Sequence, residues 1–178
     1  IKLQHCRDGR PAVKFRPRGP GENMALRQIR MDSDPVLRKQ TRSIDVISDR
    51  IRELAQDMFD TMYQAEGVGL AAPQVGILKK IVVIDTGENP IVLINPTVSE
   101  PEGSIIMEEA CLSFPERSGQ VDRPEKVKVT FTDLEGGRQT LECEGLLARA
   151  VCHEVDHLNG IVFLDKVIEG TLHDDRNA

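Results

Sequence analysis

Between Val151 and Gly160 the chain reads Val-Cys-His-Glu-Val-Asp-His-Leu-Asn-Gly. An α-helix turns about 100° per residue, so His153 and His157, four apart, share one face and can grip a single metal ion. Glu154 stands beside that ion without ligating it, where a carboxylate can take a proton from metal-bound water. The same pattern occurs in helices that hold no metal, so it needs further support. Leu146, Leu147, Val151 and Leu158 give the helix an apolar stripe that would bury the site. Two imidazoles leave an ion short of a third protein ligand. Of the thiols Cys6, Cys111, Cys143 and Cys152, Cys111 is the best candidate, lying at a strand end between Glu109 and Ser113. Cys143 falls inside an expected strand, and Cys152 is turned about 100° from the face of His153. The alternative for Cys111 is an inert buried thiol.

The elements that must position these groups are legible in part. Asp34-Pro35 marks a turn that can start a brief helix. Ser48 is an N-cap candidate for an amphipathic helix in which Ile51, Leu54, Ala55, Met58 and Met62 form the stripe. It ends near Ala65, before Gly67. The run Gly67-Val68-Gly69-Leu70-Ala71-Ala72-Pro73-Gln74 lets backbone approach a ligand closely and pair with an extended peptide. It is no phosphate loop, because no Lys-Ser/Thr follows. Gln74 either satisfies backbone in a tight loop or points an amide into a site. Residues 80–85 and 91–94 read as buried strands around a turn at 87–90, with Asn95-Pro96 breaking the second. A short strand at 104–107 follows. Residues 127–133 and 138–143 form a hairpin across Glu135-Gly136-Gly137, and Gly145 opens the histidine-bearing helix, which Asn159-Gly160 closes. Residues 161–164 read as a last apolar strand and the tail from Glu169 as solvated. The expected class is α+β: short mixed or antiparallel sheets around a central helix carrying the two histidines, with an amphipathic helix outside.

A chain of 178 residues with 39% hydrophobic and 3% aromatic residues is one domain whose core rests on Ile, Val, Leu and Met. Residues 1–23 carry six cationic groups against two acids, which leaves the rest with a net charge of −10 out of the chain's −6. So acidic a body is a poor binder of nucleic acid. The expected division is 1–23 as an extension, either appended, translated from upstream or the remnant of an organelle-targeting segment, then a catalytic domain at 24–168 and a polar tail at 169–178. A basic arm for a partner is a further reading of the extension. No run of roughly 18 apolar residues suggests a membrane span, and unpaired cysteines fit a reducing cytoplasm.

Three segments together, Gly67-Val-Gly-Leu-Ala-Ala-Pro-Gln74, Glu109-Ala-Cys-Leu-Ser113 and His153-Glu-Val-Asp-His157, resemble the three signature motifs of the peptide deformylases, in order and separation. The resemblance runs from about Met24 to Val167. It implies removal of the N-formyl group from formyl-methionine on new polypeptides, with release of formate. It implies Cys111, His153 and His157 as ligands of Fe(II), which Zn, Ni or Co can replace, and Glu154 as general acid/base. Gln74 and the Leu112 N–H would bind the formyl oxygen. Gly67, Val68, Gly69 and Leu70 would pair with the substrate, whose Met side chain would enter a pocket at Val68, Leu146 and Ala150. Arg123 would pair with Asp156, near Glu109; the plainer expectation is a surface ion pair worth under about 1 kcal/mol. A ribosome surface is an implied partner.

Two positions depart from the pattern. Ala110 stands where glycine is usual and could crowd a substrate, and Cys152 replaces a glutamine. The rival readings are a zinc-dependent endopeptidase, which would share only the third motif, and a catalytically silent homologue that acts as a binding module.

Overall fold

The computed structural model describes residues 25–177. The expected extension at 1–23, with Cys6, lies outside them. The described chain is α+β, with two α-helices and two antiparallel sheets. Strands β1 (Gly69–Ala71), β2 (Ile81–Ile84), β3 (Ile91–Glu102), β6 (Lys126–Thr132) and β7 (Arg138–Glu144) build a five-stranded sheet in the order β1-β2-β3-β6-β7. Strands β4 (Ile105–Cys111), β5 (Phe114–Arg123) and β8 (His173–Asp174) build a three-stranded one. Helix α1 spans Asp49–Gln64 and α2 spans Gly145–Leu158. Among the described residues no helix is long and apolar enough to cross a membrane.

Successive side chains of a strand point to opposite faces, and here both faces are covered. Ile81, Val83, Val92 and Ile94 pack under α1 against Ile51, Leu54, Ala55, Met58 and Met62. Val82, Ile84, Ile91 and Leu93 pack on the other face, with Val129 and Phe131, against Ala148, Ala150, Val151 and Leu158 of α2. Two-sided burial explains why β2 is an unbroken apolar run instead of an alternation.

Several expectations are corrected. Asn95-Pro96 does not end the second strand: β3 continues to Glu102, with its pairing to β6 shifted between Ile94 and Thr97. The irregularity absorbs a proline that has no N–H to give. Asn95 sits there at φ 51°; its Oδ1 accepts from the Ile44 N–H at 2.9 Å, and its Nδ2 donates to the Ile44 carbonyl at 2.8 Å. Residues 161–164 form no strand. The Asp165 carboxylate accepts from the Val162 N–H at 3.0 Å and turns Phe163–Asp165 into a 3-10 turn. The tail is not simply solvated, since β8 pairs with β5 and Arg117 bonds Asp174 and Asp32. Ser48 caps α1 by position, with no side-chain hydrogen bond.

Candidate metal centre

Cys111 closes β4 where the pairing jumps from Ala110 opposite Ser118 to Cys111 opposite Phe114, so Leu112 and Ser113 turn a tight hairpin. His153 and His157 project from the face of α2 that meets this hairpin. The ligand atoms of all three residues lie within 4.8 Å of one another, and Cys111 Sγ is 3.3 Å from His157 Nε2. All three are buried. His153 Nδ1 bonds the Glu109 carboxylate at 3.0 Å, and Phe163 stacks on the ring. With Nδ1 donating to Glu109, Nε2 is the ring nitrogen left facing the cluster. That buried atom has no hydrogen-bond partner, an arrangement a cation would satisfy. One soft thiolate and two imidazoles suit a divalent transition metal.

The charges favour a thiolate. Burial opposes ionisation of Cys111, but the His157 and His153 imidazoles beside the sulfur outweigh it and pull the thiol down to about 5. Burial likewise disfavours a charged His153, yet the Cys111 sulfur and the Glu109 carboxylate beside its ring push it up to about 9. Glu109 is itself buried, which would raise it; His153 and Arg123 hold it well below the carboxylate range instead.

Around Glu109 the bonds are saturated. Arg123 reaches Oε1 through Nε at 2.9 Å and Oε2 through Nη2 at 3.1 Å, and Arg149 reaches Oε1 at 2.7 Å. Arg123 Nη1 also meets Asp156 at 2.5 Å. The expected Arg123–Asp156 pair is present, and Arg123 is 3% exposed, so it is no ordinary surface bridge.

Glu154 is fully buried beside β1. A methyl group on Gly69 would come within 2.5 Å of its Oε1, so bare backbone lies against the carboxylate. Gln74 Oε1 accepts from the Ala71 N–H at 2.8 Å, while Nε2 lies 3.2 Å from Ser113 Oγ and 3.5 Å from Cys111 Sγ. Leu112 packs over Gly67, where a Cβ would sit 2.7 Å from its Cδ1. Val68 and Leu146 are half-buried and Ala150 is buried. Leu70 turns its side chain into the α1 core, leaving only its backbone for a ligand. Ala110 lines, with Leu112, Ile29, Met31 and Phe114, an apolar cavity of about 330 Å³.

Cys143 and Cys152 stand outside the cluster. Cys152 is half-buried and its thiol is pushed up by burial. Sequence reasoning missed Ser113, Phe163 and above all Arg149. The last carried a signal: an arginine four residues before His153, on the same face of a helix whose first half is otherwise free of charge.

Residues 26–172 match the family model described as polypeptide deformylase. A peptide deformylase of Alkaliphilus metalliredigens is 56% identical over 146 residues, covering 82% of this chain and 99% of that protein. Peptide deformylase 1 of Clostridium acetobutylicum is 54% identical over 146 residues, 82% of this chain and 97% of that one. Among solved structures, the Synechococcus elongatus peptide deformylase in complex with actinonin superposes with a TM-score of 0.81 at 39% identity, over 92% of this chain and 89% of that one. The Met-Ala-Ser-bound peptide deformylase of Acinetobacter baumannii gives 0.78 at 34% identity, over 82% and 100%.

Proposed function

The chain belongs to the polypeptide deformylase family, and from that membership we propose how its buried residues carry out the reaction. It is a hydrolase that removes the N-formyl group from the formyl-methionine of newly made polypeptides and releases formate. It is metal-dependent like its family, and Cys111, His153 and His157 would hold the ion. Fe(II) is the ion we assign, with Zn, Ni or Co able to stand in its place. A divalent cation there supplies the positive charge that acidifies water and polarises the formyl carbonyl.

The protein's own residues do the rest. Glu154 takes the proton of the attacking water and returns it to the departing amine. Gln74 Nε2 and the Leu112 N–H donate to the oxyanion, each such donor being worth about 3 kcal/mol in the transition state. Glu109, held by Arg123, keeps His153 in one tautomer, and Asp156 anchors Arg123. Since β1 is a sheet edge, Gly67 to Leu70 can take the peptide as an added strand. The Met side chain enters beside Val68, Leu146 and Ala150, with Ala110 at the rim. The relatives solved with actinonin and with Met-Ala-Ser support a cleft for a methionine-led peptide.

In this reading α2 is the central helix of a catalytic domain at 24–168, flanked by the extension and tail. The enzyme meets nascent chains in a bacterial-type cytoplasm, near the ribosome surface. The observation that carries it is the convergence of thiol and imidazoles within 4.8 Å around an orphaned Nε2. Anaerobic, iron-loaded protein is expected to release formate from formyl-Met-Ala-Ser and to leave an acetylated internal peptide intact. Cleavage of the latter would favour an endopeptidase, and no formate from a metal-replete protein would favour a silent homologue.

A further inference from the structure

The metal centre is assembled from two pieces of chain that share no covalent frame: the end of β4, which gives Cys111, and α2, which gives the histidines. One buried side chain bridges them. Arg149 is 2% exposed and lies one turn before His153 on α2. Its Nη2 donates to the Ile105 carbonyl at 2.6 Å, at the start of β4. Its Nη1 donates to Glu109 Oε1 at 2.7 Å, two residues before Cys111, and to the Val121 carbonyl of β5 at 3.2 Å. Glu109 in turn bonds His153 Nδ1 at 3.0 Å.

We propose that Arg149 is a positioning residue that sets the distance between Cys111 and the two histidines, by tying α2 to both ends of β4 and fixing the Glu109 carboxylate that orients His153. A guanidinium is the group for this task. Its planar fork serves three acceptors in fixed directions, which an ammonium cannot do. The charges point the same way. Arg123 is shared between Glu109 and Asp156, whereas Arg149 gives Glu109 a second cation of its own. Arg149 is too far along the helix to be a ligand and touches no reacting atom; it acts through Glu109 and β4.

The inference rests on the ligand set proposed above, and cobalt tests the two separately. The protein loaded with Co(II) should show a thiolate-to-metal absorption band. Absence of that band in the unaltered chain overturns the ligand set itself, and the inference with it. Given the band, Arg149→Met should shift it, weaken cobalt binding in a chelator competition by about tenfold, and lower kcat far more than it raises KM, since partners of ligands typically carry 10- to 100-fold in affinity or activity. Arg149→Lys, which keeps the charge and one bond, should recover part of the loss. If Arg149→Met does not fold, the lysine variant decides in two backgrounds. Its several-fold loss of cobalt affinity should shrink in Glu109→Gln, where the carboxylate it acts through is gone. An equal loss in both backgrounds, or a lowered Tm with unchanged band and affinity, overturns the proposal.

Discussion

Glu154 and Cys111 illustrate how burial assigns different work to neighbouring groups. Glu154 is fully enclosed yet is no member of the Cys-His-His cluster. Glu154→Gln should therefore lower kcat by about 10³ while the ion content, measured by elemental analysis, stays at the wild-type level. Metal lost in step with activity would contradict the acid/base role. Cys111 and His153 make a second prediction. In the metal-free cluster the thiol ionises near 5 and His153 keeps its proton up to about 9. Near neutral pH the sulfur is already a thiolate and the imidazole must give up its proton before an ion can bind. Calorimetry at pH 7 in buffers of different ionisation enthalpy should find proton release on ion binding, the proton of His153 being given up. The sign follows from the two shifts: affinity falls as pH drops, first through competition at His153 and below about 5 at the sulfur as well. No proton released at pH 7 would mean that His153 does not hold its proton there.

Strand β1 brings the argument to elements. Its Gly69 lies so close to Glu154 that a methyl group would meet Oε1 at 2.5 Å and Cγ at 2.9 Å. Gly69→Ala should depress kcat by roughly 10²-fold, because displacing a catalytic group by about 1 Å can have that effect, with little change in Tm. At Gly67 the added carbon meets Leu112 Cδ1, the far end of a half-buried side chain, so Gly67→Ala should act mainly on KM. Steady-state kinetics on formyl-Met-Ala-Ser separates the two, and equal effects on both parameters in both variants would refute the distinction. Both helices could be read from sequence because their apolar periodicity extends over several turns. The β6–β7 hairpin was legible from its glycines. By contrast β5 escaped notice, since Phe114–Arg123 is mostly polar and holds Pro115 and Gly119; it is specified by β4 beside it. The segment at 161–164 misled for the opposite reason, its four apolar residues being claimed by a carboxylate cap from Asp165. At the centre itself the three motifs identified the groups that meet. The Arg149 links depend on long-range proximity, which no local pattern encodes.

At the scale of the molecule, the two ends of the described chain meet on β5. Arg117 bonds Asp32 at 2.8 Å and Asp174 at 3.0 Å, and Arg176 bonds the same two carboxylates. Arg117→Met should lower stability by roughly 1–2 kcal/mol in urea unfolding, with kcat/KM nearly unchanged, because the network is half exposed and Arg117 bonds Asp32 and Asp174, neither of them a ligand. A loss of activity larger than the loss of folded protein would contradict this.

The five-stranded sheet also has a counting problem. Slide β2 by one residue and Val82 exchanges places with Val83, greasy surface for greasy surface, so the aversion to water that polices a half-wet strand is silent here. Asn95 acts as the ruler: bent left-handed and bolted through its amide to both backbone groups of Ile44, it marks where the apolar run must stop. A hydrocarbon in its place would leave the oily pattern intact and remove the tick mark by which the strands are aligned.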